Sequence, residues 1–384
     1  MYKSQILVFA IIIFAVMNVR ISAKEAPAAP RPGPANAEFQ RVFGEWKTFN
    51  GQLGALRAKY RTAPKEERPE LEKQWNELLE KGKVLQPQFY RAAEKAFAEA
   101  PNADKQIIDL LLGIFADGVA WDDFENTARI GKLLVDNHCS TPRIVSDAGI
   151  AAVCIGDFDA AEKYLGMANK DGYYRLKQPT DEMAEQGKHF LSDLEKLKKS
   201  WDKEQRIRRA EAMADDLPHV LIKTNKGDIE VELFENEAPN TVANFITLVE
   251  KGYYNGKTFH RVLSGFMAQG GGGPQGEGDV EPGYTIPDEC KRPDHRLHFR
   301  GSLSMAKAEA PDTGGGQFFI CFIPTIHLDG IHTVFGRVIK GIDVLAKIQR
   351  RNPEAPNPPD PDKIIEAKVL RKRPHEYVVK KTGK

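Results

Sequence analysis

With 384 residues, the chain is long enough for two domains, each with its own core. Its 55 lysines and arginines balance 54 aspartates and glutamates, so no global field steers it to nucleic acid or to a charged membrane surface.

Residues 1–23 read as a secretory signal peptide. Lys3 gives a positive start, residues 6–17 are an uninterrupted apolar run, and Ile21-Ser22-Ala23 offers a small residue for cleavage. The run falls short of the roughly 20 apolar residues a bilayer span needs. The sequence therefore predicts export, to a periplasmic or other extracytoplasmic site, with no stable membrane span after processing. Export permits disulfides. Cys139, Cys154, Cys290 and Cys321 allow three connectivities, so no particular bridge is predicted. Cys321 lies in a strongly apolar run and reads as a buried free thiol.

Residues 24–35, rich in alanine and proline, read as a flexible leader. Strong helix formers then dominate residues 36–179. Within them Asp123-Phe124-Glu125-Asn126-Thr127-Ala128 recurs loosely, 34 positions on, as Asp157-Phe158-Asp159-Ala160-Ala161-Glu162. This period weakly resembles that of tetratricopeptide repeats, whose helix pairs bury their faces only by stacking on neighbours. Gly149, Gly156, Ala161, Leu165 and Ala168 supply small or apolar residues for such contacts. A generic helical bundle is the competing reading, because two units are fewer than the roughly three that such a stack needs. Residues 180–215 read as a long, highly charged helical linker bridging the two halves, with runs such as Glu195-Lys196-Leu197-Lys198-Lys199.

After Pro218 the hydrophobic period shortens to two. Val220 and Ile222, then Ile229, Val231 and Leu233, alternate with polar residues around Asn225-Lys226-Gly227, which predicts a β-hairpin. Asn240 is placed to cap a helix with apolar residues Val242, Phe245, Ile246 and Val249, ended by Gly252. A second short helix is predicted over residues 342–349. Strand-like runs at 303–305, 318–323, 333–339 and 364–370 complete a mostly β domain over residues 216–375. Residues 376–384 form a basic tail that reads as a solvated terminus.

Four motifs in the β half carry chemistry: F-H-R-V-L-S-G-F-M-A-Q-G at 259–270, S-M-A-K-A at 304–308, G-Q-F-F-I at 316–320 and L-D-G-I-H-T-V-F-G at 328–336. They set one guanidinium beside apolar side chains and a few amides, without a nucleophile or a metal cage. Such a set suits an apolar, uncharged group, of which proline in a peptide is one. In this order and spacing, the chain from about residue 218 to 373 resembles the cyclophilin peptidyl-prolyl cis-trans isomerases.

The fold expected is multi-domain, an N-terminal all-α, TPR-like region read from helix formers and the 34-residue period, followed by a mostly-β domain with two helices for which the resemblance implies a closed antiparallel barrel. The resemblance implies no cofactor, and proline-containing peptides or unfolded chains as partners. Carried over position by position, it makes Arg261 the catalytic residue and places Phe266, Met267, Phe319, Leu328 and His332 in the proline pocket. Gln269 and Gln317 orient the substrate backbone, and Ala306, Lys307 and Ala308 line the neighbouring groove. His327 stands where many members carry a tryptophan that contacts the drug cyclosporin. Lys307 replaces a usual asparagine, and the run at 309–315 is one residue longer than usual.

Other chemistries fit less well. The run Gly270-Gly271-Gly272-Gly273 lacks the Lys-Ser/Thr of a phosphate loop and reads as a mobile surface loop. His295-x-x-His298 has no evident third ligand, so no metal is expected there. No G-x-S-x-G elbow occurs. The function predicted is isomerisation of X-Pro bonds in exported or unfolded polypeptides, non-covalently, with an arginine stabilising the twisted imide. The alternative is a non-catalytic proline-peptide-binding scaffold or chaperone with the helical half as its docking module. Under either reading, the helical half is where a protein partner would bind.

Overall fold

The computed structural model describes residues 33–175, 182–272 and 282–382. The predicted signal peptide, nearly all of the leader, the first residues of the linker and Gly273 lie outside these. The chain divides into two compact units, Met1–Ala116 with Arg129–Ile144, and Asp117–Ala128 with Val145–Lys384.

The first unit is helical. Helix α1 (Pro34–Thr62) opens with a proline, whose missing N–H has no helical partner at that position anyway. It runs beside α2 (Arg68–Glu99), and α3 (Lys105–Ala120) and α4 (Phe124–Asp136) follow. Phe39, Phe43 and Trp46 fall on one face of α1 and meet Phe89 of α2 with ring centroids 5.8, 5.6 and 5.4 Å away. Gly82 of α2 is needed for this approach, since a Cβ there would lie 2.6 Å from the ring of Phe49.

In the second unit α5 (Pro142–Ile155), α6 (Phe158–Lys170) and α7 (Glu182–Ala214) precede the sheet. The two Asp-Phe motifs have one physical meaning. Asp123 accepts from Asn126 N and Asp157 from Ala160 N, so each is a helix N-cap. Each following phenylalanine, Phe124 and Phe158, is buried. Gly149 lets α5 approach α6 closely, because a Cβ would sit 2.7 Å from Leu165.

Helix α7 is charged but not merely solvated: it packs on residues from both the preceding helices and the β part. Phe190, Leu194 and Leu197 join a core with Ile150, Phe158, Leu165 and Ile323. Two of its glutamates, Glu204 and Glu211, are themselves buried, paired with Arg296 and Arg337 of the β part. Its charges are spent on packing as well as on solvation.

Strands β1 (His219–Thr224) and β2 (Gly227–Leu233) form the predicted hairpin. Then come α8 (Pro239–Glu250), β3 (Arg261–Leu263), β4 (Met267–Gly270), β5 (Ser302–Met305), β6 (Phe318–Cys321), β7 (Val334–Lys340), α9 (Ile342–Leu345) and β8 (Ile364–Arg371). The eight strands make one antiparallel sheet in the order β3-β4-β6-β5-β7-β2-β1-β8. Its two end strands are β3 and β8, and an isolated bridge joins Thr258, just before β3, to Lys363, just before β8. Phe245 of α8 lies inside, against Phe318 and Phe335.

Four local expectations are corrected. Asn240 lies within α8 and does not cap it. The N-terminal amides of Asn240 and Thr241 are instead taken by the carboxylate of Glu289, at 3.1 and 2.8 Å. Helix α9 stops at Leu345, because the Arg350 guanidinium takes the carbonyls of Leu345 and Ile348. Gly270, Gly271 and Gly272 are buried and do not form a surface loop. A Cβ on Gly271, at φ +84, would lie 2.8 Å from the carbonyl oxygen of Gly316. The tail is exposed at Glu376, Val378, Lys380, Lys381 and Thr382 yet is not free: Thr382 N–H donates to Thr285 O, Lys380 N–H donates to Asn240 of α8, and Tyr377 and Val379 pack on the core.

Candidate active site

Residues directly opposite one another on antiparallel strands share a face of the sheet. The register pairs Arg261 with Gln269, Gln269 with Phe319, and Phe319 with Ser304, so one row crosses β3, β4, β6 and β5. Met267 and Cys321 pair in the next row on the same face. The chain thus brings Arg261, Gln269, Met267 and Phe319 to one surface, because each belongs to a short strand of correct parity.

Met267 and Phe319 are buried with Cys321, and Phe266, Ala306 and Leu328 pack against them partly exposed. An apolar cluster, buried at its centre and partly open at its edge, results. The Arg261 guanidinium stands 5.7 Å from the ring centroid of Phe266. It is half-buried and, among the described residues, no hydrogen bond or ion pair occupies it. Its donors are therefore available to a ligand, while the aromatic face holds the cation in place. Gln269 Nε2 donates to Gln317 Oε1 at 2.9 Å, joining the two amides.

His332 meets the ring of Phe319 edge-on at 5.5 Å, and its Nδ1 donates to the carbonyl of Met305 at 3.1 Å. Burial pushes the His332 imidazole below its usual range, against the pull of that hydrogen bond, and burial likewise lowers His327. His327 is exposed beside Phe266, with ring centroids 5.6 Å apart. Ala308 is exposed. The Lys307 side chain is drawn aside to Asp288, at 3.2 Å, so only the backbone at that position can face the groove.

One layer beneath lies a group that sequence reasoning missed. His298 stacks parallel to Phe319, with centroids 5.9 Å apart. Its Nδ1 donates to Asp329 Oδ1 at 2.8 Å, and its Nε2 lies 3.0 Å from Ser304 Oγ. The Ser-His-Asp order is no nucleophile array, since Ser304 is fully buried behind Phe319 and its hydroxyl donates to Thr333 O. Its effect is to brace the pocket floor. The H-x-x-H spacing drew attention to His298, but only the fold supplies its partners. Among the described residues, no group of three or more His, Cys, Asp and Glu could hold a metal ion.

All four cysteines are free and buried. Burial pushes the Cys321 thiol up to about 12, against the Thr325 hydroxyl, and raises Cys154 well above its usual value. Neither thiolate is populated near neutrality, so a thiol reagent at mildly alkaline pH is expected to leave Cys154 and Cys321 untouched until the protein is denatured. Alkylation followed by peptide mass spectrometry checks this; rapid labelling of Cys321 in the native protein would contradict its place behind the pocket.

Residues 219–369 match the family described as cyclophilin type peptidyl-prolyl cis-trans isomerase/CLD. A peptidyl-prolyl cis-trans isomerase of Helicobacter pylori is 52% identical over 134 residues, covering 34% of this chain and 80% of the relative. Peptidyl-prolyl cis-trans isomerase B of Bacillus subtilis is 53% identical over 115 residues, 30% of this chain and 78% of the relative. The human peptidyl-prolyl cis-trans isomerase-like 1 is 42% identical over 154 residues, 39% of this chain and 91% of the relative. The chain belongs to the cyclophilin-type peptidyl-prolyl isomerases, and it is an isomerase enzyme.

Proposed function

We propose that this isomerase acts on X-Pro bonds of exported or unfolded polypeptides by a non-covalent mechanism in which Arg261 stabilises the twisted imide. One observation carries the reading: a guanidinium with no hydrogen-bond or ion-pair partner among the described residues, set against Phe266 at the edge of an apolar cluster and on the same strand row as Gln269 and Phe319.

An X-Pro bond relaxes over tens to hundreds of seconds across a barrier near ~20 kcal/mol. At the top of that barrier the amide nitrogen is pyramidal and basic, no longer conjugated with its carbonyl. A donor aimed at it binds the transition state better than either planar ground state, which is the condition for catalysis. Arginine suits the task because it stays protonated and presents its donors on a rigid plane. Phe266, Met267, Phe319 and Leu328 would grip the proline ring, Gln269 and Gln317 would hold backbone carbonyls, and Ala306 and Ala308 would border the groove. A closed barrel would keep these strands in register.

No step of this mechanism uses a titrating group near neutrality. His332 and His327 are both pushed below their ordinary values by burial, which favours the neutral imidazole. Accordingly kcat/KM is expected to be flat from about pH 6.5 to 9, with any loss confined to the acid side. A step centred near pH 7 in a chymotrypsin-coupled assay would assign an imidazolium a role and count against the mechanism. The decisive variant is Arg261→Ala; unchanged turnover would refute the assigned role.

The site of action follows from residues 1–23 as a signal peptide, which predicts an extracytoplasmic enzyme. The helical region, with its paired Asp-Phe helix starts 34 residues apart, supports a TPR-like docking role toward a protein partner.

A further inference from the structure

Residues 117–128 lie outside the segment that matches the isomerase family, yet one of them reaches the candidate active site. Asp122 sits between α3 and α4 with φ +56, a left-handed conformation uncommon for a residue with a side chain. It is 1% exposed. A buried carboxylate is costly unless its lone pairs are filled, so its partners reveal what it serves.

All of its side-chain partners belong to the β part. Oδ1 accepts from Gly265 N at 2.7 Å, and Oδ2 accepts from Ser264 Oγ at 3.1 Å and from the Arg350 guanidinium at 2.8 Å. Arg350 also donates to the carbonyl of Trp121 and lies over the rings of Trp121 and Phe322. Ser264 Oγ is within 3.1 Å of Ala120 O as well. Burial raises the Asp122 carboxyl, and Arg350 and the Gly265 amide oppose that shift.

Ser264 and Gly265 form the turn between β3 and β4, the strands that carry Arg261 and Met267, and Phe266 follows at once. Strand β3 is three residues long and ends the sheet, so among the described residues its ladder is to β4, with one isolated bridge from Val262 to Arg351. So short a terminal hairpin needs outside anchors to hold a fixed position. Strand β4 is held by its ladder to β6, Phe322 N–H donates to Phe266 O at 2.9 Å, Val262 and Arg351 pair their backbones at 2.8 and 2.7 Å, and Arg351 donates to His260 O; the turn residues Ser264 and Gly265 themselves are held by the Asp122 clamp.

We infer that Asp122 is a positioning residue for isomerisation, fixing the β3–β4 turn and through it Phe266 and Arg261, so that the 117–128 segment is a working part of the catalytic unit. The inference rests on the assignment of Arg261 and Phe266 to the reacting site. Displacing a substrate wall by an ångström-scale shift costs rate without abolishing the fold.

The test uses the full chain, with Asp122→Ala, Asp122→Asn, Ser264→Ala and Arg261→Ala compared on one prolyl peptide, alongside amide hydrogen exchange. Asp122→Ala is expected to lower kcat/KM about tenfold. It should also speed exchange in residues 261–267 while protection of β5 and β6 is retained. Asparagine keeps an acceptor for Gly265 N–H and should restore part of the loss, and Ser264→Ala should cost about two- to threefold. Should the alanine variant not fold, the asparagine and Ser264→Ala variants are read by the same two measurements. Activity of Asp122→Ala within twofold of the parent, or, where that variant does not fold, activity of both Asp122→Asn and Ser264→Ala equal to the parent, or a loss that merely tracks general loss of protection in β5 and β6, overturns the inference. If Arg261→Ala is also fully active, the site assignment itself falls and this inference with it. A severe Arg261→Ala defect beside an unaffected Asp122→Ala would refute the clamp alone.

Discussion

Arg261→Ala is expected to reduce kcat/KM on an X-Pro peptide by about two to three orders of magnitude, the range that loss of one preorganised donor costs in other enzymes. Enzymatic turnover near ~10³ per second against ~10⁻² uncatalysed is five decades, or roughly 7 kcal/mol. A charged donor in a partly dry site can supply roughly 2–4 kcal/mol of that. The rest comes from gripping the ring in the twisted geometry and from excluding water that favours the planar, more polar amide. Because the guanidinium has no hydrogen-bond or ion-pair partner among the described residues and stands over the Phe266 ring, its removal strands no buried charge, and the fold should be retained. Lysine should recover little, since a flexible ammonium cannot reproduce a planar fork held 5.7 Å from Phe266. A protease-coupled assay with circular dichroism as the folding control measures both variants. Turnover within twofold of the parent would remove Arg261 from the chemistry.

The largest expected effect on stability belongs to Arg296. Its side chain is 1% exposed, and it binds Glu204 through two nitrogens at 3.0 and 2.8 Å and Glu211 through a third. It lies 3.8 Å from the centroid of Phe234. Arg337 continues the network to Glu211 at 2.9 Å and Glu232 at 2.6 Å, and Arg208 reaches Glu204 at 2.7 Å. Arg296→Ala leaves two buried carboxylates of α7 short of their partner. A loss of about 3–5 kcal/mol is expected, read as a fall in the urea midpoint. Replacing Arg296, Glu204 and Glu211 together by apolar residues of similar volume should cost far less, because no charge is then stranded. An alanine variant as stable as the parent would show that α7 is held by its apolar face alone.

The same cluster gives an acid dependence of defined sign. Burial would raise the Glu204 carboxyl, but hydrogen bonds and charge from Arg296 and Arg208 outweigh it, and the net shift is downward. A lowered folded value means that the stabilisation is complete above the ordinary carboxylate range of about 4.3 and is lost as pH falls through the folded value. Midpoints measured at descending pH should show the Arg296→Ala penalty shrinking in acid.

Contiguous pattern was enough for much of the β half. The β1–β2 hairpin, α8 with Gly252 at its end, and strands β5 to β8 follow from alternation and turn chemistry within ten residues or so. The pocket residues were legible through the four ordered motifs and the family resemblance they carry; the strand register then sets Arg261, Met267, Gln269 and Phe319 on one face, with Phe266 in the turn just before β4. In the helical half, the repeated Asp-Phe marks two N-caps, a local device that composition can reveal.

Partners far apart in the chain could not be seen that way, because only folding brings them within reach. Asp122 meets Ser264 across 142 positions, Arg296 meets Glu204 across 92, Glu289 caps α8 across 48, and His298 meets Asp329 across 31. Each is a buried charge or dipole, which looks in the sequence like an ordinary polar surface residue. Burial makes such a group costly when unpaired, so tertiary packing, and not local propensity, decided which charges brace the site and which face water.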